Sequence, residues 1–219
     1  MKKYINSKNI IIAVCFTIIL VSGIAVKMDI LPMIPLFVSL AVMTLQAKAN
    51  RYGYLLGGLN ACLYGIVDIS YGVYASAGSA FLISFPMQLI TFMNWNKNSY
   101  KKSVVFKKMS AKVRMIAGGI FVLAWIVLFA VLKMAGSEYA ILDNTSTLLG
   151  FGVTILTMLA YVEYSYIWLV SGVVSALLNV QIIFNDITRL PYLVYSLYSY
   201  YCIILAFINV RKLYKEQNS

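Results

Sequence analysis

The chain contains no histidine, and only seven of its 219 residues are Asp or Glu. Metal sites and acid–base catalysts draw on clustered His, Asp and Glu, and here the acids are scattered singly. A membrane-embedded enzyme is therefore disfavoured, and no metal site and no cofactor is expected. The three cysteines, Cys15, Cys62 and Cys202, sit in separate apolar segments at no metal or redox spacing and read as small packing residues. No G-x-x-x-x-G-K-[ST] loop occurs, which excludes direct use of ATP on motif grounds. Charge of either sign is scarce, at 11% of residues, where a soluble domain carries roughly a quarter.

What the chain has instead is apolar bulk: 62% hydrophobic residues and a mean hydropathy of +0.84. Such a composition cannot cover a water-facing surface. Lipid must be the solvent, and only helices or a closed barrel then satisfy the backbone. The apolar runs are continuous, without the alternation of barrel strands, so helices are expected. Eight segments have the spanning length of about 17–25 residues. They lie near 9–26, 29–47, 53–74, 78–95, 113–134, 145–163, 166–184 and 190–210. The first run continues past any small-residue cleavage site and is read as a membrane helix, not a signal peptide.

The 18 Lys and Arg give a net charge of +11. They fall between and after the apolar runs, so the positive-inside rule accounts for them and nucleic acid is not an expected partner. Lys27, Lys133 and Arg189 lie on one side. All the others lie on the opposite side, including Lys2, Lys3, Lys8, Lys48, Arg51, the run from Lys97 to Arg114, and Arg211 to Lys215. The prediction is a multi-pass protein with both termini cytoplasmic. The basic loop is read as a topology determinant that also contacts membrane lipid phosphates.

That loop divides two related halves. The fourth segment ends Phe92-Met-Asn94-Trp-Asn-Lys97 and the eighth ends Phe207-Ile-Asn209-Val-Arg-Lys212. Tyr52-Gly-Tyr54 precedes the third segment and Tyr164-Ser-Tyr166 the seventh. The fold expected is all-α and integral to the membrane, with about eight transmembrane helices. It is a 3+1+3 parallel-repeat core plus one N-terminal helix, and repeat halves of this kind commonly build a transport path. The corresponding division is 1–28 for the N-terminal helix, 29–96 for the first repeat, 97–143 for the basic loop and linker helix, 144–212 for the second repeat and 213–219 for a cytoplasmic tail.

Polar groups inside spans mark faces that meet other helices or water. Gly57, Asn60, Tyr64 and Asp68 form one stripe at helical spacing; Trp168, Ser171, Ser175 and Asn179 form another. Phe81, Phe85, Gln88, Phe92 and Trp95 make an aromatic stripe with one amide, on a segment that Pro86 is expected to bend. Tyr192, Tyr195, Tyr198 and Tyr201 line the eighth segment. Aromatic plates with neutral donors and acceptors suit a flat heteroaromatic ring carrying a sugar-like group. The candidate substrate-binding residues are therefore Asn60, Tyr64, Gln88, Phe92, Trp168, Ser171, Ser175, Asn179, Tyr195 and Tyr198. The competing structural reading makes the Tyr and Trp near span ends interfacial anchors and the small residues close-packing contacts. Asp68 is the one carboxylate well inside a segment and the candidate for coupling or gating. Uncoupled facilitated diffusion is the economical mechanism, and net uptake would then need a soluble kinase that traps the substrate.

Gly57-Gly-Leu-Asn60-Ala-Cys-Leu-Tyr64 resembles the G-x-x-N-x-x-x-Y element of the PnuC-type nicotinamide riboside transporters. Phe85-Pro-Met-Gln88-Leu-Ile-Thr-Phe92-Met-Asn-Trp95 is similar to that family's F-P-M-Q-x-x-G-W-x-x-W run, and Leu159 to Trp168 looks like the stretch leading into its W-x-x-W motif. The resemblance covers roughly residues 30–212. It implies a seven-helix 3+1+3 core related to the SWEET sugar transporters, uptake of a vitamin precursor down its gradient across the bacterial plasma membrane, and a homotrimer. It makes Trp168 the aromatic that contacts the substrate ring, with Asn60, Gln88 and Asn179 as polar contacts. Ser171 stands where the second Trp of the motif is expected, and Thr91-Phe92 replaces Gly-Trp. The expected function is thus a permease for nicotinamide riboside or a related nucleoside-like vitamin precursor. Thiamine, riboflavin and deoxynucleosides are alternatives within the family, and a non-transporting membrane scaffold or sensor is the remote one.

Overall fold

The computed structural model describes residues 7–72, 74–136 and 139–219. Lys2 and Lys3, counted on the basic side, lie outside the described residues, as does the side chain of Lys8. Helices dominate: α1 (Ser7–Ala25), α2 (Ile30–Ala47), α3 (Tyr52–Ser70), α4 (Tyr74–Ser79), α5 (Phe85–Lys97), α6 (Ala111–Met134), α7 (Ala140–Met158), α8 (Tyr164–Asn185) and α9 (Leu190–Asn218). A π-helical segment, Ala80–Ser84, joins α4 to α5 without a break, so the nine α-helices of the described residues make eight rods. Its cause is local. Pro86 has no N–H to donate and its ring would crowd the carbonyl of Leu82; a widened turn upstream accommodates both. A two-stranded hairpin, β1 (Ser99–Tyr100) and β2 (Ser103–Val104), follows α5.

The rods pack as a ring. α2 lies on α3, α3 on α5, α5 on α7, α7 on α8, α8 on α9, and α9 returns to α2. The first and last helices of each triplet therefore close against the other triplet. α1 lies outside, against α9 and α2, and α6 lies outside, against α7. α6 is the most apolar span and has no buried residue along its 24. Lipid is its solvent, and its attachment is polar: Trp125 Nε1 donates to Thr145 Oγ1 at 3.0 Å, and Asn144 Nδ2 to Trp125 O at 2.9 Å. The protein is an all-α, multi-pass membrane protein with the 3+1+3 plan and an extra N-terminal helix.

The repeat is visible atom by atom at the turns. Ala49 and Ala160, each two residues past the last helical residue of α2 or α7, take left-handed φ values of 47° and 58°. Ala49 N donates to Gln46 O as Ala160 N does to Thr157 O; Asn50 N donates to Leu45 O as Tyr161 N does to Leu156 O. At equal distance beyond those two alanines stand Gly57 and Trp168, Asn60 and Ser171, Tyr64 and Ser175, Asp68 and Asn179. The two polar stripes are thus the same face of equivalent helices.

The loop between the halves does more than carry charge. Arg51 N donates to Lys102 O, Val162 N to Lys107 O, and Lys107 N to Ala160 O, so one strand of loop ties both inter-helix turns together. Val104, Phe106 and Met109 are buried, with 1%, 4% and 6% of their surfaces exposed, among Ala49, Tyr54, Trp95, Tyr164 and Val210. The largest departures from the sequence estimate are in α7 and α9. α7 starts and ends earlier than 145–163, because the residues after Met158 form the turn that the loop clamps. α9 runs on past 210 to Asn218, because Gln217 holds it: its Oε1 accepts from Phe106 N at 2.8 Å and its Nε2 donates to Val104 O at 2.9 Å.

Candidate functional site

A cavity of about 290 Å³ lies inside the ring. Every ring helix contributes to its wall: Met43 and Gln46 from α2, Tyr54 from α3, Gln88 and Thr91 from α5, Gly150, Val153, Thr154 and Thr157 from α7, Trp168 and Ser171 from α8, Tyr195 and Ser199 from α9. The volume is near the lower end of the roughly 300–1,000 Å³ typical of small-molecule sites. A second cavity of about 250 Å³ shares Trp168, Ser171, Tyr195 and Ser199 with the first and adds Ser175, Asn179, Tyr192 and Ser196. Tyr192 also lines a third, of about 520 Å³, at the end of the ring away from the hairpin. Shared lining residues connect the three: four between the first and second, and Tyr192 between the second and third.

The hairpin end is closed. Tyr54 and Trp95 meet at 4.6 Å between ring centroids and 63°, Trp95 and Phe106 at 5.6 Å and 90°, both edge-to-face. Phe106 and Tyr164 lie 6.3 Å apart and Tyr164 and Trp168 6.1 Å. Trp95 and Tyr164 are fully buried. Trp95 Nε1 donates to Thr157 O at 2.8 Å, fixing the indole between the two halves. An unbroken series of rings thus runs from this plug to the cavity wall at Trp168.

The structure sorts the sequence candidates into three groups. Gln88, Trp168, Ser171 and Tyr195 line the central cavity, while Ser175 and Asn179 line the adjoining one. Asn60, Tyr64, Tyr198 and Phe92 border neither. Asn60 Nδ2 donates to Ser39 Oγ at 2.8 Å, and Tyr64 Oη shares a hydrogen bond of 3.4 Å with the same oxygen, which ties α3 to α2. Ser175 makes the matching tie to α7 through Ser146, at 2.9 Å. Tyr198 Oη and Thr44 Oγ1 share a 2.7 Å hydrogen bond that joins α9 to α2. Phe92 packs at 5.8 Å from Tyr52, beside the plug. Asp68 lines the outer cavity with Lys27, Asp29, Asp186, Arg189 and Tyr192. There Asp29 Oδ2 accepts from Tyr71 Oη at 2.7 Å, and hydrogen bonds from the Thr188 hydroxyl and N–H hold the Asp186 carboxyl below the usual range.

Six polar lining residues escaped the sequence reading as ligand contacts: Gln46, Tyr54, Thr91, Thr154, Thr157 and Ser199. Gln46 and Thr157 are equivalent positions in the repeat, and that equivalence is the signal that could have found them. The Thr91, Thr154 and Thr157 hydroxyls each donate to the carbonyl four residues earlier, which leaves them acceptors only. Gln88 Oε1 is buried with no hydrogen-bond partner among the described residues. Buried polar atoms are normally paired, so this unmatched acceptor on the cavity wall is where a polar ligand would bind. Gly57, the counterpart of Trp168 in the repeat, has no side chain and so leaves room for Gln88: a Cβ there would lie 3.1 Å from Gln88 Oε1. One half supplies the aromatic wall and the other the space and the amide.

Comparison with known proteins agrees with this architecture. No curated protein sequence matches the chain. Among solved structures, the crystal structure of the vitamin B3 transporter PnuC is similar, with a TM-score of 0.76 and 19% identity, over 99% of this chain and 95% of that one. The profile of a family described as nicotinamide mononucleotide transporter matches residues 29–211, which take in the six-helix ring and α6 and leave out α1. Family and fold are those of a transporter and not of an enzyme: the chain belongs to the nicotinamide mononucleotide transporter family.

Proposed function

We propose that this permease takes up a nucleoside-like vitamin precursor, nicotinamide riboside or a close relative, by facilitated diffusion. The observation that carries the proposal is the central cavity, bounded by all six ring helices, with Trp168 on one wall and Gln88 Oε1 unmatched on another. A flat heteroaromatic ring would stack on Trp168, a contact worth about 0.5–1.5 kcal/mol beyond the area it buries. Gln88 Oε1 would accept from a carboxamide N–H or a sugar hydroxyl. Ser171, Ser175, Asn179 and Tyr195 would serve the sugar-like group along the adjoining cavity. Asn60, Tyr64 and Tyr198 would act as positioning residues that fix α3 and α9 on α2, and Phe92 would back the plug.

Transport by this reading is alternating access. The two three-helix units move about the central site, so the aromatic plug opens as the outer cavity closes. Observation of both ends open at once would sink it. Asp68, in the outer cavity, is the residue assigned to gating or to any proton coupling, and an unchanged pH dependence of uptake in Asp68→Asn would remove it from that role. The basic end faces the cytoplasm of a bacterial plasma membrane, with both termini inside. A soluble kinase traps the substrate, and the working assembly is a homotrimer.

The experiment is ligand-dependent thermal stabilisation of the purified protein, because a ligand that binds only the folded state raises apparent stability by mass action. The panel holds nicotinamide riboside, thiamine, riboflavin and deoxynucleosides. A shift with nicotinamide riboside that disappears in Trp168→Ala is the expected result. A shift with another member names that substrate instead, and Ser171 in place of a second Trp is the feature that would favour such a ligand. No shift with any member returns weight to a scaffold or sensor.

A further inference from the structure

We infer that a cleft at the basic end of the protein, separate from the transport path, is a binding site for a phosphate group, its occupant being the headgroup of an anionic phospholipid. The cleft has a volume of about 530 Å³ and lies where the first turn of α6, the start of α8 and the last turns of α9 converge. Four cationic side chains line it: Lys108, Arg114, Arg211 and Lys215. Glu163 is the one acid in its wall, and it is already engaged. Its Oε1 is 3.4 Å from Arg114 Nη2 and accepts from Met109 N at 3.1 Å. Among the described residues no carboxylate lies within ion-pair distance of Lys108, Arg211 or Lys215.

Cations that merely coat a surface point into water and stay mobile. Here two of the four are held. The Arg114 guanidinium donates to Met109 O at 3.1 Å. The Arg211 guanidinium sits 5.8 Å from the Tyr166 ring centroid and 5.3 Å from that of Phe207, and those two rings pack edge-to-face at 5.1 Å. Arginine held over aromatic rings remains fully charged and keeps its fork of donors in one orientation, the geometry that matches phosphate oxygens. The N-termini of α6 and α8 border the same space and add their partial positive charge. The apolar part of α6 begins at Met115, the residue after Arg114, so the site stands at the depth of lipid headgroups with acyl chains free to lie along α6. Lipid is thereby favoured over a soluble anion, which would gain nothing from that exposed apolar wall.

The test is native mass spectrometry of the full chain purified in detergent, titrated with phosphatidylglycerol or phosphatidylcholine. The wild type is expected to retain phosphatidylglycerol selectively. Lys108 and Lys215 are exposed and take no part in ion pairs, so the Lys108→Gln/Lys215→Gln double variant should fold. It should weaken retention by on the order of tenfold or more, since each basic residue near the membrane surface contributes about a factor of five or more. A double variant of equal charge at the same end but outside the cleft, Lys97→Gln/Lys102→Gln, should change retention by less than about twofold; Lys215→Gln alone gives a smaller loss of the same sign. Inorganic pyrophosphate, added without lipid, is the second arm. Binding of pyrophosphate with the same dependence on Lys108 and Lys215, and no selective lipid retention, keeps the phosphate chemistry and replaces the lipid by a soluble phosphoester. Equal losses in the two double variants, or neither lipid selectivity nor pyrophosphate binding, overturns the site.

Discussion

Asn209 Nδ2 donates to the carbonyl of Ala47, the last residue of α2, at 2.6 Å. Asn94 does the same for the other half of the chain, donating to Met158 O, the last residue of α7, at 3.3 Å. Each asparagine lies in the third helix of one repeat and caps the first helix of the other. The short F-x-N-x-x-K match is therefore a structural device: a helix C-terminus leaves carbonyls without intrahelical donors, and each half supplies the donor the other lacks.

Asn209→Ala removes one such donor and should lower stability by about 0.5–1.5 kcal/mol, the usual net worth of a hydrogen bond. Asn94→Ala, with its longer contact, should cost less. The two act at opposite closures of the ring and share no partner, so the double variant should be close to additive. Thermal unfolding of the three variants in one detergent checks it, and a strongly non-additive pair would mean that the closures are coupled.

Gly57→Ala places a methyl 3.1 Å from Gln88 Oε1 and 3.3 Å from its Cδ. Contacts that short displace the amide by a few tenths of an ångström, away from the cavity wall. Stability should change by less than about 1 kcal/mol, because alanine favours the helix by roughly that amount. Ligand affinity should fall several-fold, since a buried amide out of place loses a good part of its hydrogen bond. Comparing the Tm with the ligand-induced shift in Tm separates the two effects.

Trp95→Phe keeps a ring in the plug but removes the indole donor; Thr157 O still accepts from Ala160 N, so the loss should be about 0.5–1.5 kcal/mol, the net worth of one hydrogen bond. Trp95→Ala also leaves a void and should cost about 3–5 kcal/mol. Denaturation midpoints give the order. Both variants should also let a thiol-reactive probe from the basic side reach a cysteine placed at Thr157, which the wild-type plug prevents.

Lys101 Nζ and Glu216 Oε2 pair at 2.9 Å between the hairpin and the end of α9. The lysine holds the Glu216 carboxyl below its ordinary range, and the carboxylate pushes the Lys101 ammonium up. A depressed carboxyl stabilises above its unfolded pKa and ceases to do so as pH falls through its folded value; a raised ammonium stabilises below its unfolded pKa and ceases as pH rises through its folded value. The contact therefore holds across neutral pH and is lost at both extremes. Glu216→Gln should flatten the acid limb of hydrogen exchange at the α9 terminus while leaving global stability nearly unchanged, because both groups are exposed to solvent.

The helical stripes were legible in the sequence because side chains at three- and four-residue spacing must share a face, and polar atoms in lipid must face something other than lipid. That argument identified both stripes, and counting from the left-handed alanines shows them to be equivalent. It could not say what each faces. Asn60 and Ser171 occupy matching positions, yet Asn60 is used against Ser39 in α2 while Ser171 looks into the cavity. The difference comes from neighbours on other helices, which no local spacing encodes. Tyr54 and Thr157 were passed over for the converse reason. They lie near helix ends, outside both stripes, and only ring closure turns them inward.

The basic loop gives the sharpest contrast. Its lysines declare the membrane side by themselves, since moving charge across a bilayer is costly wherever the helices sit. Its three buried apolar residues, Val104, Phe106 and Met109, declare nothing until Trp95, Tyr164 and Val210 come together to receive them. Composition and periodicity determined that this chain is a membrane bundle of two related halves, because backbone and charge each have so few ways to be satisfied in lipid. Which polar groups line a path, which merely fasten helices, and which end of the path is shut were decided by tertiary packing, because a cavity belongs to six helices at once and to none of them alone.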